Sequence, residues 1–294
     1  MPKSLIEFRD WSSNELQKLI QNSFYLEKNK GVLNFESKPV VALLFFESST
    51  RTRISFEIAC HRENYSSVLL SGKSGSSLDK GETLQDTIEN IVAMKPDLLV
   101  VRSDHQLNQA EWAQRLNIPF ISAGWGSMAH PTQALLDVRT LMKKGRDLSK
   151  TKLVIIGDIQ HSRVAQSHFQ LSEKLGYDLA VLPHNQIQVP RHVRCLSNFD
   201  EALSWSNVIM ALRYQVERHQ EKMENEEMKK WQINSQILQN WKEDGLLLHP
   251  GPVNYGYEMA IDAKSSEKYL LMDQVESGVW VRRACMNYFL RGAM

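Results

Sequence analysis

Cysteine is scarce: the 294 residues hold only Cys60, Cys195 and Cys285, far apart and odd in number. That excludes a disulfide framework and a clustered zinc site, so no metal is expected, and it fits a reducing cytoplasm. Net charge is nearly absent as well, with 35 Lys+Arg against 34 Asp+Glu. A chain at +1 offers no basic field for nucleic acid or an anionic membrane, and neither is an expected partner. Long hydrophobic runs are also missing. The longest, Val40 to Phe46, falls far short of the ~20 residues a membrane-spanning helix needs. The opening stretch, Met1 to Trp11, has no signal-peptide core. Neither a GxxxxGK(S/T) phosphate loop nor a GxGxxG dinucleotide turn occurs, which argues against Walker-type nucleotide binding and NAD binding.

What remains is an ordinary folded composition, 42% hydrophobic and 23% charged, with a length that predicts two domains at ~150 residues each. The 11 Met and 7 Trp read as core packing and call for no cofactor. Short apolar runs alternate with helical patterns, as in parallel α/β sheets. Strands are predicted at Val40–Phe46, Ser67–Leu70, Leu98–Arg102, Phe120–Ser122, Leu153–Gly157, Leu179–Leu182, Val208–Leu212 and Leu246–Leu248. Most are continuous in Val, Leu and Ile, which suits strands covered on both faces. Helices are predicted between them, including Arg51–Asn64, Thr83–Met94, Thr132–Lys144 and Ser162–Leu175. Ser71–Ser77 is a loop by composition, and the charged tract Glu217–Lys230 reads first as solvated surface.

The strongest local signal follows the first strong strand, in Phe45-Phe46-Glu47-Ser48-Ser49-Thr50-Arg51-Thr52-Arg53-Ile54-Ser55-Phe56-Glu57. A strand runs into Ser and Thr and then into a helix, whose first N–H groups and positive dipole end attract an anion. Two arginines in that first turn oppose the dipole. They make physical sense if a phosphate or carboxylate sits there, bound by N–H groups, hydroxyls and guanidinium forks together.

This segment closely resembles the carbamoyl-phosphate signature of the aspartate and ornithine carbamoyltransferases. Further matches follow in the family's order: Lys80-Gly81-Glu82-Thr83, His130-Pro131-Thr132-Gln133-Ala134-Leu135-Leu136-Asp137, and Gly157-Asp158-Ile159 with His161-Ser162-Arg163-Val164-Ala165. Next come Leu212-Arg213-Tyr214-Gln215 with Glu217-Arg218, and His249-Pro250-Gly251-Pro252-Val253-Asn254. The last two resemble the aspartate-specific members, and the His-Cys-Leu-Pro segment of ornithine enzymes is absent.

The resemblance implies an enzyme that joins carbamoyl phosphate to L-aspartate, giving N-carbamoyl-L-aspartate and phosphate, the second step of de novo pyrimidine biosynthesis. Such an acyl transfer must neutralise the phosphate, supply donors to the carbonyl oxygen and orient a dicarboxylate. By resemblance, Ser49, Thr50, Arg51 and Thr52 hold the phosphate. Lys80 is a second cation there and also contacts aspartate, on a Ser/Lys loop that the family donates from a neighbouring subunit; Ser77 sits near the family's loop serine. Thr52, Arg102 and His130 serve the carbonyl oxygen, and the Gln133 amide oxygen serves the carbamoyl NH2. Arg163 takes the α-carboxylate of aspartate, while Arg213 and Gln215 take the β-carboxylate, which draws the charged tract into the substrate loop. Backbone at Gly251 and Pro252 contacts the carbamoyl amide and the amine, and the departing phosphate takes the proton. Glu47, a carboxylate beside an anion site, is expected to pair with Arg163 and Arg218 on domain closure.

Two positions depart from the family pattern. Trp125 stands where Asp or Asn is common, and Tyr255 where Arg is common. The implied fold is α/β, two doubly wound parallel-sheet domains facing a cleft and joined by two inter-domain helices. Residues 1–132 would bind carbamoyl phosphate, with a C-terminal helix at 277–294 returning to them, and 133–276 would bind aspartate. A homotrimer with shared sites is the implied assembly, and association with a regulatory chain or a dihydroorotase stays open. Two other readings remain: a transcarbamylase with a different amine acceptor, and a non-catalytic homologue acting as an assembly partner.

Overall fold

A computed structural model of the chain describes residues 4–29, 38–72, 77–105, 107–183, 187–213 and 232–292. The chain forms two compact units, Met1–Arg139 with Val275–Met294, and Thr140–Gln274. In the first, β1 (Ser4–Leu5) and α1 (Ser13–Asn29) precede β2 (Val40–Phe45), α2 (Thr50–Arg62) and β3 (Ser66–Ser71). A 3-10 turn at Ser77–Lys80 follows, then α3 (Leu84–Ala93), β4 (Leu98–Ser103), α4 (Gln109–Arg115) and β5 (Phe120–Trp125). Helix α5 (Pro131–Lys143) carries the chain into the second unit, which begins with β6 (Lys152–Gly157), α6 (Arg163–Leu175) and β7 (Asp178–Pro183). There follow β8 (Arg194–Cys195), α7 (Phe199–Trp205), β9 (Val208–Ala211), α8 (Ser235–Asn240) and β10 (Leu246–Leu248). The long helix α9 (Leu271–Arg291) brings the chain back to the first unit.

Each unit is built on one five-stranded parallel sheet, ordered β1-β5-β4-β2-β3 in the first and β10-β9-β6-β7-β8 in the second. The eight strands read from Val/Leu/Ile runs are all present. β1 and β8, two residues each, were not foreseen and extend the sheets beside β5 and β7. Central strands are covered on both faces: Val41 to Phe45 and Leu98 to Val101 are almost fully buried. β3 departs from that expectation, because it is an edge strand with Val68 55% and Leu69 44% exposed.

The two sheets share one topology. From β2 the chain steps outward to β3, then returns to β4 on the other side; from β6 it steps to β7, and later returns to β9 on the other side. Each sheet therefore has a point where the strand order reverses, between β2 and β4 and between β6 and β9. Loops that leave the carboxyl ends of such strands diverge and open a crevice. At the second reversal the strands come very close: a Cβ on Gly157, at φ +118°, would meet the Leu212 carbonyl oxygen at 2.9 Å. Only glycine fits there.

Helix α9 starts at Leu271, six residues before the predicted Ser277, and is bolted to the first unit by buried polar groups. Glu63, fully buried, accepts from Arg283 Nε at 2.5 Å and Asn287 Nδ2 at 3.0 Å, with Arg291 at 3.2 Å. Arg139, also fully buried, donates to Ser23 Oγ, Ser277 Oγ and Glu27, tying α1, α5 and α9 together. The two departures from the family pattern sit at the cores: Trp125 packs against the core of the first sheet and Tyr255 against that of the second. No helix among the described residues is long and apolar enough to cross a membrane. The tract 217–230 and the middle of the Ser71–Ser77 segment lie outside the described residues.

Candidate active site

The first cluster stands at the reversal between β2 and β4. β2 ends at Phe45, paired with Arg102 of β4, so Glu47 to Thr52 and Arg102 emerge at the same edge. Ser49 is the residue before α2, with extended backbone (φ −162°, ψ 100°), yet its side chain makes no cap bond. The equivalent side chains of α3, α4, α6, α7 and α8 each accept a backbone N–H of their own helix. Thus α2, which has two arginines and no acid in its first turn, is also the helix whose Ser hydroxyl is not spent on capping. Thr52 is buried, whereas Thr50 and Arg51 are exposed. The result is a helix start arranged for an external anion.

Arg102 is the cation at the end of β4, its side chain only 12% exposed. Its Nη1 donates to the Ala123 carbonyl oxygen at 3.3 Å, and its Nε lies 3.5 Å from Glu47 Oε2. Glu47 therefore faces a cation within its own unit, directly across the strand-order reversal. A carboxylate here restrains the guanidinium and need not repel a neighbouring phosphate.

His130 is buried and precedes α5, which opens with Pro131 at its first position. One turn into the helix, Gln133 Nε2 donates to Asp137 Oδ1 at 2.9 Å. That bond engages the amide NH2 with Asp137, so the amide oxygen is the atom suited to accept from a carbamoyl NH2. Asp137 is fully buried, and behind it Arg282 of α9 donates to Ser55 Oγ at 2.8 Å. Burial pulls the Arg282 guanidinium down to about 10, so it is still cationic at neutral pH and offsets Asp137. Lys80 ends the exposed 3-10 turn that begins at Ser77, beyond the edge strand β3.

The second cluster stands at the reversal between β6 and β9. After Gly157, Asp158 is buried and its Oδ1 lies 2.8 Å from His161 Nδ1, which folds the loop back into α6. Ser162 caps that helix by accepting the Ala165 N–H at 3.1 Å, and Arg163 is its first residue. Arg213 follows β9 on the adjoining strand end. Two arginines thus leave neighbouring parallel strands at one crevice, an arrangement matched to a ligand with two carboxylates. Gly251, with φ +63°, and Pro252 follow β10. Gln215 and Arg218 lie outside the described residues. No group of His, Cys, Asp or Glu among the described residues could hold a metal ion.

Sequence reasoning assigned no role to Asp137, His249 or Glu258. A signal existed for Asp137, which stands four residues after Gln133 on one helix face. For Glu258, whose Oε1 lies 3.1 Å from His249 Nε2, the link appears only when the loop closes.

Comparison with known proteins agrees with both halves of this architecture. The family model described as "Aspartate/ornithine carbamoyltransferase, carbamoyl-P binding domain" matches residues 3–143, and that described as "Asp/Orn binding domain" of the same family matches 149–289. The chain is 37% identical to the aspartate carbamoyltransferase catalytic subunit of Solibacter usitatus, over 84% of each chain. It is 34% identical to that of Koribacter versatilis, over 98% of this chain and 97% of the relative. The crystal structure of aspartate transcarbamoylase from Trypanosoma cruzi in complex with carbamoyl phosphate superimposes with a TM-score of 0.84, at 25% identity, covering 96% of this chain and 94% of that one. With both halves matched and relatives spanning nearly its whole length, the chain belongs to the aspartate/ornithine carbamoyltransferase family.

Proposed function

We infer that the chain transfers the carbamoyl group of carbamoyl phosphate to the amino group of L-aspartate, releasing N-carbamoyl-L-aspartate and phosphate. The observation that carries the choice of acceptor is the pair Arg163, first residue of the helix that follows β6, and Arg213, just after β9, on the segments leaving two adjacent strands of the second sheet. Two cations suit a dicarboxylate, whereas ornithine would bring a second cation among them. Ser49, Thr50, Arg51 and Thr52 hold the phosphate at the start of α2, with Lys80 as a further cation that also reaches aspartate. Thr52, Arg102 and His130 donate to the carbonyl oxygen as charge develops on it. Gln133 accepts from the carbamoyl NH2 through its amide oxygen, while its own NH2 donates to Asp137. Arg163 receives the α-carboxylate, Arg213 and Gln215 the β-carboxylate, and the Gly251 and Pro252 carbonyls receive N–H groups of the carbamoyl amide and the amine. The amine nitrogen bonds to the carbonyl carbon, the bond from that carbon to the phosphate oxygen breaks, and the departing phosphate accepts the amine proton.

In this reading the first unit binds carbamoyl phosphate and the second binds aspartate. The working assembly is a homotrimer in which Lys80 serves a neighbour's site. Its support is the exposed edge strand β3 of the first sheet, where Val68 and Leu69 are 55% and 44% exposed and from which the chain runs to the Lys80 turn. Such an apolar edge calls for a partner. Three cysteines, none in a disulfide, suit the cytoplasm. The test is incubation of the purified chain with carbamoyl phosphate and either L-aspartate or L-ornithine. Carbamoyl-aspartate formed with equimolar phosphate is expected; citrulline, or no carbamoylated product, overturns the reading.

A further inference from the structure

The mechanism uses the backbone at Gly251 and Pro252 but not the side chains that shape it. His249, fully buried just after β10, makes three hydrogen bonds inside its own unit. Its backbone N–H donates to Gln274 Oε1 at 2.9 Å, its Nδ1 accepts the Gly251 N–H at 2.8 Å, and its Nε2 lies 3.1 Å from Glu258 Oε1. Because Gly251 donates into the ring, the lone pair is on Nδ1 and the ring hydrogen on Nε2, where it donates to the carboxylate. The same Glu258 oxygen accepts the Asn254 N–H at 2.7 Å. One carboxylate therefore ties both ends of the turn, one end through the imidazole and the other through the backbone. Between them lies Gly251 at φ +63°, a residue with no side chain of its own to hold it.

This is an expensive way to fill space. The imidazole is fully buried and the Glu258 side chain only 9% exposed, and Glu258 Oε2 is buried with no hydrogen-bond partner among the described residues. Apolar side chains of similar size would pack there without desolvating two polar groups. What they would not supply is direction: an acceptor aimed at one peptide N–H, and a carboxylate that fixes which ring nitrogen offers it. We propose that His249 and Glu258 are positioning residues for carbamoyl transfer, holding the Gly251–Pro252 carbonyls toward the carbamoyl amide and the incoming amine. The proposal rests on the reading that those carbonyls contact the reactants.

Paired variants test it. H249N keeps an amide oxygen about where Nδ1 stands, and E258Q keeps the oxygen that ties the turn; H249F and E258L fill the same space with neither. Misplacing a reacting group by about 1 Å can lower a rate ~100-fold, and H249F and E258L are expected to lose kcat on that order. Their KM for carbamoyl phosphate should stay within about threefold, because the phosphate is held by the other unit. H249N and E258Q should stay within about tenfold of the wild-type kcat. H249F with near-wild-type kcat overturns the proposal, and so does a loss in H249N as deep as in H249F. Should H249F not fold, the E258Q and E258L pair decides: a clear gap in kcat supports the positioning role, and equal values overturn it. A wild-type chain that makes no carbamoyl-aspartate overturns the underlying reading instead, so the two failures are separable.

Discussion

Glu47 is a charge of the wrong sign beside the proposed anion site. It stands 3.5 Å from Arg102 Nε, so its charge is set against a guanidinium of the same unit. Glu47→Gln keeps the side-chain length and removes the charge. It is expected to lower kcat about tenfold, roughly 1.4 kcal/mol of transition-state stabilisation. Affinity for a phosphonate analogue should hold or tighten, since one negative charge near the phosphate has gone. Equal losses in kcat and in analogue affinity, measured by calorimetry, would contradict this role. The cysteines allow a second test at this scale. Burial pushes the Cys60 and Cys285 thiols up to about 12, so at pH 8 they carry almost no thiolate, the reactive form. Cys195 is exposed. Iodoacetamide at pH 8 should label Cys195 alone in the native protein and all the cysteines after unfolding; native labelling of Cys60 or Cys285, read by peptide mass, would refute it. The proposed anion-binding residues stood out in the sequence because Ser, Thr and Arg are packed into one helix start. Asp137 and His249 were not assigned, because their roles depend on which atom of Gln133 or Gly251 they engage.

Among the elements, legibility tracked burial. Continuous Val, Leu and Ile runs marked every central strand, since a strand covered on both faces has no room for polar alternation. Ser4–Leu5 and Arg194–Cys195 carry no such pattern; each is a strand only because a neighbour offers a free edge. Helix α1 does carry a signal that the reading passed over. Ser12 and Glu15 form a reciprocal capping box, Ser12 N–H to Glu15 Oε2 at 2.9 Å and Glu15 N–H to Ser12 Oγ at 3.3 Å. Leu16, Leu19, Ile20 and Leu26 then line its buried face. The attachment of α9 was invisible in sequence, because Glu63 meets Arg283 and Arg291 from more than two hundred residues away. Glu63→Ala leaves two buried guanidinium groups without that carboxylate, which costs about 3–5 kcal/mol. The thermal midpoint should drop by roughly 10 °C. A shift below about 3 °C would mean that the apolar contacts of α9 suffice without the ion pairs.

At the scale of the whole molecule, a chain with almost no net charge concentrates cations where two sheets of one topology reverse strand order. Arg51 and Arg102 gather at one reversal, Arg163 and Arg213 at the other. In the proposed reading, anionic substrates are drawn by those local clusters, with no global field to steer them. Lys80 lies on an exposed turn beyond the edge strand that presents Val68 and Leu69. If a neighbouring chain covers that edge, Lys80 completes the neighbour's site and a single chain is never sufficient. Lys80→Ala and Arg51→Ala subunits, each inactive alone, should then complement. In a cyclic trimer every mixed assembly has one site with both residues intact, so random exchange restores about a quarter of the wild-type activity. The expected rise follows reversible dissociation and reassociation of the two variants together, and it should saturate near that fraction at equal proportions. Sites made within single chains would give no recovery at any mixing ratio, because no chain in the mixture carries both side chains.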